Sequence, residues 1–379
     1  MTDIHGFAKD RFAPVREAFA GNFASGADIG ASCCVTKDGE TVVDLWGGYA
    51  DAAKTRPWQR DTIINVYSTT KTMTALTALL LADRGLIDFA APVAKYWPEF
   101  AANGKARVTV AHLMSHSAGL SGWKEKITTA DLYDWEKMTS LLAAQAPFWE
   151  PGTAPGYHAL TQGYLVGELI RRVTGKSIGA VFREEIAGPL EADFWIGLPA
   201  SEDARVAELI PPPPDEAVGG AAAPMSHIMR NMATNPGIDV AETKTRAWRG
   251  AEIPAAGGTG NARSVAETHV ILANGGVAKG KRFMSEAGCR RALELQVEGT
   301  DLAMGVPARF GLGFGLAGGL VPLPNANTMF WGGYGGSIAI IDMDARMSIS
   351  YVMNVMRGTT TGDVRGFGIA MAAWQSLAA

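Results

Sequence analysis

Cysteine is scarce in this chain: three residues in 379, two of them adjacent (Cys33 and Cys34) and the third at Cys289. An odd count without regular spacing argues against a disulfide framework or a zinc site, and it predicts reduced thiols. Charge is thin as well. Asp, Glu, Lys and Arg make up 19% of the residues, against roughly 25% in ordinary domains. With 34 basic residues against 38 acidic ones, the net charge is −4. No basic excess is available for a dedicated nucleic-acid partner or for a polybasic grip on a membrane. The opening Met1-Thr2-Asp3-Ile4-His5 has no basic stretch leading into an apolar run, so no signal peptide and a cytoplasmic location are expected. One stretch, 310–341, carries no charge for 32 residues. Its nine glycines, with Pro322, Pro324, Asn325 and Asn327, suit buried strands and turns better than a membrane span.

Apolar residues, by contrast, are plentiful at 47%, enough for a substantial core and too many for intrinsic disorder. The length suits two domains or one large one. Phe12, Val15, Phe19 and Phe23 are spaced as on an amphipathic helix over about 7–23. From Gly30 the texture becomes strand, turn, strand, with Asp38-Gly39 between runs rich in β-branched residues, a hairpin signal. Helix-like segments follow at about 70–84, 109–115, 131–145, 161–174, 177–187, 264–274 and 285–294. Strand-like texture returns near Gly311-Leu312-Gly313-Phe314-Gly315 and continues through 337–342 and 347–353, before a last helix at about 363–377. Strands at both ends and helices between them predict an α+β fold. A mainly antiparallel, discontinuous sheet domain (1–66 and 300–379) would carry an inserted helical domain (67–299). The prolines at 211–214 read as a loop within that insertion, and no repeat of fixed period is present.

Several short motifs match a chemistry by letters alone. Gly313-Phe-Gly315-Leu-Ala-Gly318 fits the dinucleotide fingerprint, but Val321-Pro322-Leu323-Pro324 stands where a helix must begin, so a Gly-rich strand or turn is expected. His112 and His116 are four apart with no Glu and no third ligand, which predicts structural histidines rather than a metal site. Gly175-Lys-Ser177-Ile-Gly179 fits a nucleophile elbow. It follows an amphipathic helix pattern instead of a strand, so Gly175 reads as a helix C-cap and Ser177 as the next N-cap. Ser121-Gly-Trp-Lys124 lies in a Gly-rich loop that fixes neither side chain.

Ser68-Thr69-Thr70-Lys71 is different. It opens an uncharged run, 72–82, that ends at Asp83-Arg84-Gly85 and reads as a buried helix stopped by Gly85. Residues three apart share a helix face, so Ser68 and Lys71 come within hydrogen-bonding reach. A serine hydroxyl needs a neighbour to take its proton, and a lysine can do so once burial lowers its pKa.

The surroundings of this pair resemble the serine β-lactamase and penicillin-binding fold, and most closely the family VIII carboxylesterases within it. The matching stretches appear in the family's order: Tyr67-Ser68-Thr69-Thr70-Lys71, Leu113-Met114-Ser115-His116-Ser117-Ala118-Gly119-Leu120 and Trp149-Glu150-Pro151-Gly152-Thr153 with Tyr157. Val173-Thr174-Gly175-Lys176-Ser177, Gly257-Gly258-Thr259-Gly260 and Trp331-Gly332-Gly333 follow. The resemblance implies an active site in the cleft between the two domains. It makes Ser68 the acylated nucleophile, with Lys71 and Tyr157 sharing the acid and base work, either being the formal base. It places Trp331-Gly332-Gly333 on the strand facing the substrate, with glycines that let the substrate lie close, and pairs the Tyr334 amide with that of Ser68 as an oxyanion hole. No cofactor or metal is implied.

The departures from the family bear on substrate. Ser-Asp-Asn, Lys-Thr-Gly and Tyr-x-Asn are all absent, and Trp331 stands where a cationic lysine would hold the carboxylate of a β-lactam. The expectation is a serine carboxylesterase acting on small, short-acyl esters, since no long apolar lid is evident. The alternatives are a β-lactam or amide hydrolase on the same fold, and a non-catalytic penicillin-binding-like sensor.

Overall fold

Asp38 and Gly39 both take positive φ, 51° and 84°, which is the backbone a two-residue hairpin turn requires. The computed structural model describes residues 2–216, 225–318, 321 and 323–378; Gly319 and Pro322 of the uncharged stretch lie outside them. Among these residues the main sheet has nine strands: β1 (Ile4–Ala8), β2 (Gly30–Lys37), β3 (Glu40–Gly48), β4 (Val297–Thr300), β5 (Pro307–Phe310), β6 (Gly315–Leu316), β7 (Thr328–Gly332), β8 (Ile338–Asp342) and β9 (Met347–Met353). Their spatial order is β1-β3-β2-β9-β8-β7-β6-β5-β4, and every neighbouring pair is antiparallel.

Helices α1 (Ala13–Ala24) and α5 (Val364–Ala378) pack together on one face of this sheet, and α4 (Ala262–Ala273) covers the other. Strands covered on both faces lose the in–out alternation of a half-exposed sheet, and all seven residues of β9 are buried. Its polar side chains accordingly find partners on each side. Ser348 donates to the Ala266 carbonyl of α4, and Tyr351 reaches Asp28 at 2.6 Å on the opposite face. Strand β4 straddles residue 300, and α4 lies on the sheet although it belongs to the stretch read as helical.

Two elements differ from expectation. The first helix begins at Ala13, not near Phe7, because Phe7 and Ala8 pair with Asp44 and Val43 as an edge strand and Pro14 sits in the helix's first turn. Gly311 and Gly313 lie in a turn between β5 and β6, not in a strand, while Gly315 opens β6 as expected. Gly313 has φ of 93°, and a Cβ there would lie 2.3 Å from the Ala75 side chain. That glycine lets the turn seat directly on helix α2 (Thr70–Asp83), and among the described residues the next elements are strands β6 and β7, not a nucleotide-binding helix.

All residues from 70 to 81 are buried, so α2 is surrounded and not amphipathic. Its threonines stay satisfied: Thr72 donates to the Thr69 carbonyl (2.8 Å) and Thr77 to Met73 (2.8 Å) within the turn, and Thr74 to the distant Pro254 (2.7 Å). Gly85 ends the helix at φ of 77°, with Leu86 N–H donating to the Leu81 carbonyl. Gly175 (φ 72°) and Ser177, which accepts from Ala180 N–H, form the cap pair expected of them.

The C-terminal helix is tied to the sheet by Arg365, which is 4% exposed and lies 2.8 Å from Asp28 and 2.6 Å from Asp363. Arg365→Met strips two buried carboxylates of their cation. It is expected to cost about 3–5 kcal/mol in urea unfolding; a loss below about 1 kcal/mol would show that this tie does not hold the helix.

Candidate active site

Three segments far apart in sequence meet at Ser68. The first is the 3₁₀ turn Tyr67–Thr69 that leads into α2. Tyr67 sits at φ of 43°, a conformation costly for an aromatic residue. Asn65 holds it there, its side-chain oxygen accepting from Tyr67 N–H at 3.2 Å while its amide donates to the Ala256 carbonyl at 3.0 Å. Val66 N–H donates to Gly258, and Gly258 N–H donates to Thr70 Oγ1 at 2.8 Å. The second segment is the loop before helix α3 (Thr161–Thr174), which carries Tyr157. The third is the turn after β7, with Gly332, Gly333 and Tyr334.

Ser68 Oγ has two close neighbours. Lys71 Nζ lies 3.0 Å away, and the Tyr157 hydroxyl donates to it at 2.5 Å. Lys71 is 1% exposed and also donates to the carbonyls of Ala159 (2.7 Å) and Ala255 (2.9 Å). Burial alone holds its pKa well below the usual lysine range. Tyr157, equally enclosed, is pushed up to about 12 by burial, with smaller opposing effects from Ser68 and the Trp331 indole. The indole N–H is close enough to Tyr157 to ease its ionisation, yet it completes no hydrogen bond of standard geometry. These opposite displacements favour the neutral pair, amine beside phenol. A neutral amine has two N–H groups, and the two carbonyls engage both. Its lone pair is then left facing Ser68 Oγ.

The turn after β7 docks on the Ser68 segment. Ser337 Oγ donates to the Val66 carbonyl at 2.9 Å and lies 3.0 Å from Thr69 Oγ1. A Cβ on Gly333 would fall 2.2 Å from Val66 O, and one on Gly332 would fall 2.1 Å from the Thr361 backbone. These glycines therefore serve close packing of the chain against itself. The expectation from sequence is instead that they let a substrate lie close. Tyr334 packs edge-on against Tyr67, with ring centroids 5.5 Å apart. Among the described residues, the N–H groups of Ser68 and Tyr334 donate to no other protein group, which leaves two free donors for an oxygen bearing negative charge.

Sequence reasoning missed the residues that hold Tyr157. Asp301 is fully buried and accepts from the N–H groups of Tyr157 (3.0 Å), Ala303 and Met304 (2.8 Å each). Its only sequence signal is an Asp opening the turn Asp301-Leu-Ala-Met-Gly305. His158 donates to the Gly156 carbonyl (2.6 Å) and accepts from Leu120 N–H (3.0 Å). Both of its nitrogens thus serve the backbone, and burial lowers its pKa to about 3. His112 closes a capping box with Thr109, as a structural histidine would. His116 is more central than the sequence suggests: it accepts from His158 N–H and stacks on Trp331 at 5.1 Å. Among the described residues no group of three or more His, Cys, Asp or Glu side chains could hold a metal. Ser177 donates to Glu252 and Lys124 sits over the Phe148 ring, and among the described residues neither is hydrogen-bonded to Ser68, Lys71 or Tyr157.

Trp331 is 2% exposed, 5.5 Å from Tyr157 between ring centroids, and it also borders a cavity of about 650 Å³. Met229, Met232, Met304, Ala308, Phe310 and Phe330 are among its walls. Met229 and Met232 belong to a helix, His227–Thr234, that the sequence reading did not register, although Ile228, Met229 and Met232 have helical spacing.

Comparison with known proteins agrees with this geometry. The family model described as Beta-lactamase matches residues 15–373. The chain belongs to that family of serine hydrolases. It lies on the family VIII carboxylesterase branch: the crystal structure of a family VIII carboxylesterase superposes with a TM-score of 0.93 at 46% identity, covering 99% of this chain and 100% of the other. A penicillin-binding protein homologue from Caulobacter crescentus gives 0.90 at 38%, covering 99% and 100%. The esterase/β-lactamase LipL of Mycobacterium tuberculosis is 40% identical over 363 residues, 93% of this chain and 83% of its own. This family VIII enzyme is therefore an esterase/β-lactamase-family hydrolase.

Gly333→Val must push the turn away from Val66. The substitution is expected to slow labelling by a fluorophosphonate about 10²-fold, read by intact mass, with the circular dichroism spectrum unchanged. Labelling of the folded variant at the wild-type rate would show that the seat of this turn does not set reactivity.

Proposed function

We propose that the enzyme is a carboxylesterase that hydrolyses short-acyl esters through an acyl-enzyme on Ser68. The observation that carries this reading is the pair of contacts on Ser68 Oγ. One neighbour, Lys71, is a buried amine 3.0 Å from the hydroxyl oxygen. The other, Tyr157, is a phenol with a proton to give. Pairs of groups whose environments displace their pKa values apart divide the acid and base roles between them.

In acylation, Ser68 Oγ attacks the ester carbon and its proton passes to Lys71 Nζ. The carbonyl oxygen takes up negative charge against the amides of Ser68 and Tyr334. As the bond to the alkoxy oxygen breaks, Tyr157 delivers its proton to that oxygen and the alcohol departs. The acyl-enzyme then holds an ammonium at Lys71 and a phenolate at Tyr157, each stabilising the other. Water gives a proton to the phenolate and attacks the acyl carbon, while Lys71 returns its proton to Ser68 Oγ as that oxygen leaves. The sum is ester plus water giving acid plus alcohol, with all three side chains restored.

Ester rather than lactam chemistry is favoured by what stands near Trp331. Arg309, a cation bordering the adjoining cavity, is paired with Glu298 at 2.9 Å. A β-lactam carboxylate would have to compete with Glu298 for it.

Ser68→Ala should abolish fluorophosphonate labelling while Ser177→Ala leaves it intact, and p-nitrophenyl butyrate should turn over far more efficiently than a chromogenic cephalosporin. An adduct surviving Ser68→Ala, or the opposite substrate order, defeats the assignment.

The pH profile follows from the direction of the lysine shift. The base must be neutral to act, so kcat/KM rises with pH through an acid limb lying well below the usual lysine value of about 10.4. Lys71→Arg, which stays charged, should lose about 10³-fold or more in kcat/KM. A limb unmoved in that variant would assign the base elsewhere.

A further inference from the structure

The proton that Tyr157 gives away sets a direction within the site. The alkoxy oxygen must come within hydrogen-bonding reach of the phenol, so the alcohol half of the ester extends along Tyr157, away from the Ser68 and Tyr334 amides. The neighbouring wall there is Trp331, and Trp331 borders the 650 Å³ cavity. Ile228 and Met232 pack in the same apolar cluster as Tyr157 and Trp331, so the cavity wall and the proposed acid form one packed unit.

We propose that this cavity receives the alcohol half of the substrate, and that the enzyme acts on esters of short acids with bulky apolar alcohols, branched, cyclic or arylalkyl. The inference rests on the roles given above to Ser68, Lys71 and Tyr157. Its volume lies within the range of small-molecule pockets and is far beyond what methanol or ethanol would fill. Its walls are methionine and aromatic side chains, and flexible thioethers adapt to apolar groups of varied outline. Arg309 at its border is paired with Glu298, with which an anionic alcohol half would have to compete. The bonds involved are those of acylation: acyl carbon to Ser68 Oγ forms, acyl carbon to alkoxy oxygen breaks, and the alkoxy oxygen leaves with the Tyr157 proton into the cavity.

Two ester series separate the halves. With the acyl group held as acetate, kcat/KM by pH-stat is expected to rise at least tenfold from ethyl to cyclohexylmethyl and 2-naphthylmethyl esters. This follows because each buried methylene contributes up to about fourfold. With the alcohol held as ethanol, lengthening the acid from acetate to octanoate should bring no such gain. Met229→Trp fills the cavity and should lower the cyclohexylmethyl-to-ethyl acetate ratio at least tenfold. Met229→Leu, which conserves volume, should keep the ratio within about threefold, with circular dichroism confirming that both variants fold. A gain along the acid series instead, a flat alcohol series, or an unchanged ratio in folded Met229→Trp would each overturn the assignment. If no ester in either series is hydrolysed, the esterase reading itself fails; if ethyl acetate turns over while the alcohol series is flat, only the cavity assignment falls.

Discussion

A primary amine buried in the middle of the protein, with no ion-pair partner among the described residues, is a severe constraint, and much of the surrounding structure answers to it. An unpaired ammonium there would be very costly, so Lys71 is displaced towards its neutral form. Its N–H groups must still be satisfied, and they are met by the carbonyls of Ala159 and Ala255, one from the loop that carries Tyr157 and one from the segment preceding α4. One nitrogen thereby joins the central helix to two segments roughly 90 and 180 residues away in sequence. The same burial that neutralises the amine keeps the neighbouring phenol protonated. The acid–base asymmetry at Ser68 thus follows from desolvation, with no carboxylate or metal needed to create it.

The opposite side of Ser68 is built from backbone. Tyr67 is held in a disfavoured conformation by Asn65, and the turn at 333–337 is seated on Val66 and Thr69 by one serine hydroxyl and a glycine without room for a methyl group. Both free amides belong to these two tightly seated turns. Precision of this kind comes from small polar residues and missing side chains, which bulk hydrophobic packing does not provide.

This division explains what could be read in advance. Features decided within a few residues were legible. The Asp38-Gly39 hairpin, the Gly85 and Gly175 helix ends, the Ser177 cap and the three-residue spacing of Ser68 and Lys71 each carry their chemistry in local sequence. Features decided by distant partners were not. Phe7 stands at the start of the segment expected to be helical, yet it is drawn into an edge strand by pairing with Asp44. Gly311 and Gly313 have strand-like neighbours, and they lie in a turn; at Gly313, Ala75 leaves no space for a side chain. Tyr157 stood out only through resemblance to a family. Asp301, which holds its backbone, is one acidic residue among 38 acidic positions. Nor does the methionine-bearing helix announce what it faces.

The strand order has a consequence for how the chain comes to be folded. β2 pairs on one side with its hairpin partner β3, and on the other with β9, which follows about 300 residues later. At about 5–20 residues per second, a ribosome needs roughly 15–60 s to supply that partner. Throughout that interval the N-terminal hairpin keeps an open, apolar strand edge, Ala31-Ser32-Cys33-Cys34-Val35, of the kind that pairs readily with other chains. A sheet closed by its last strand is slow to nucleate and exposed while it waits. The two ends of the chain can therefore be joined in the sheet only when synthesis is nearly complete.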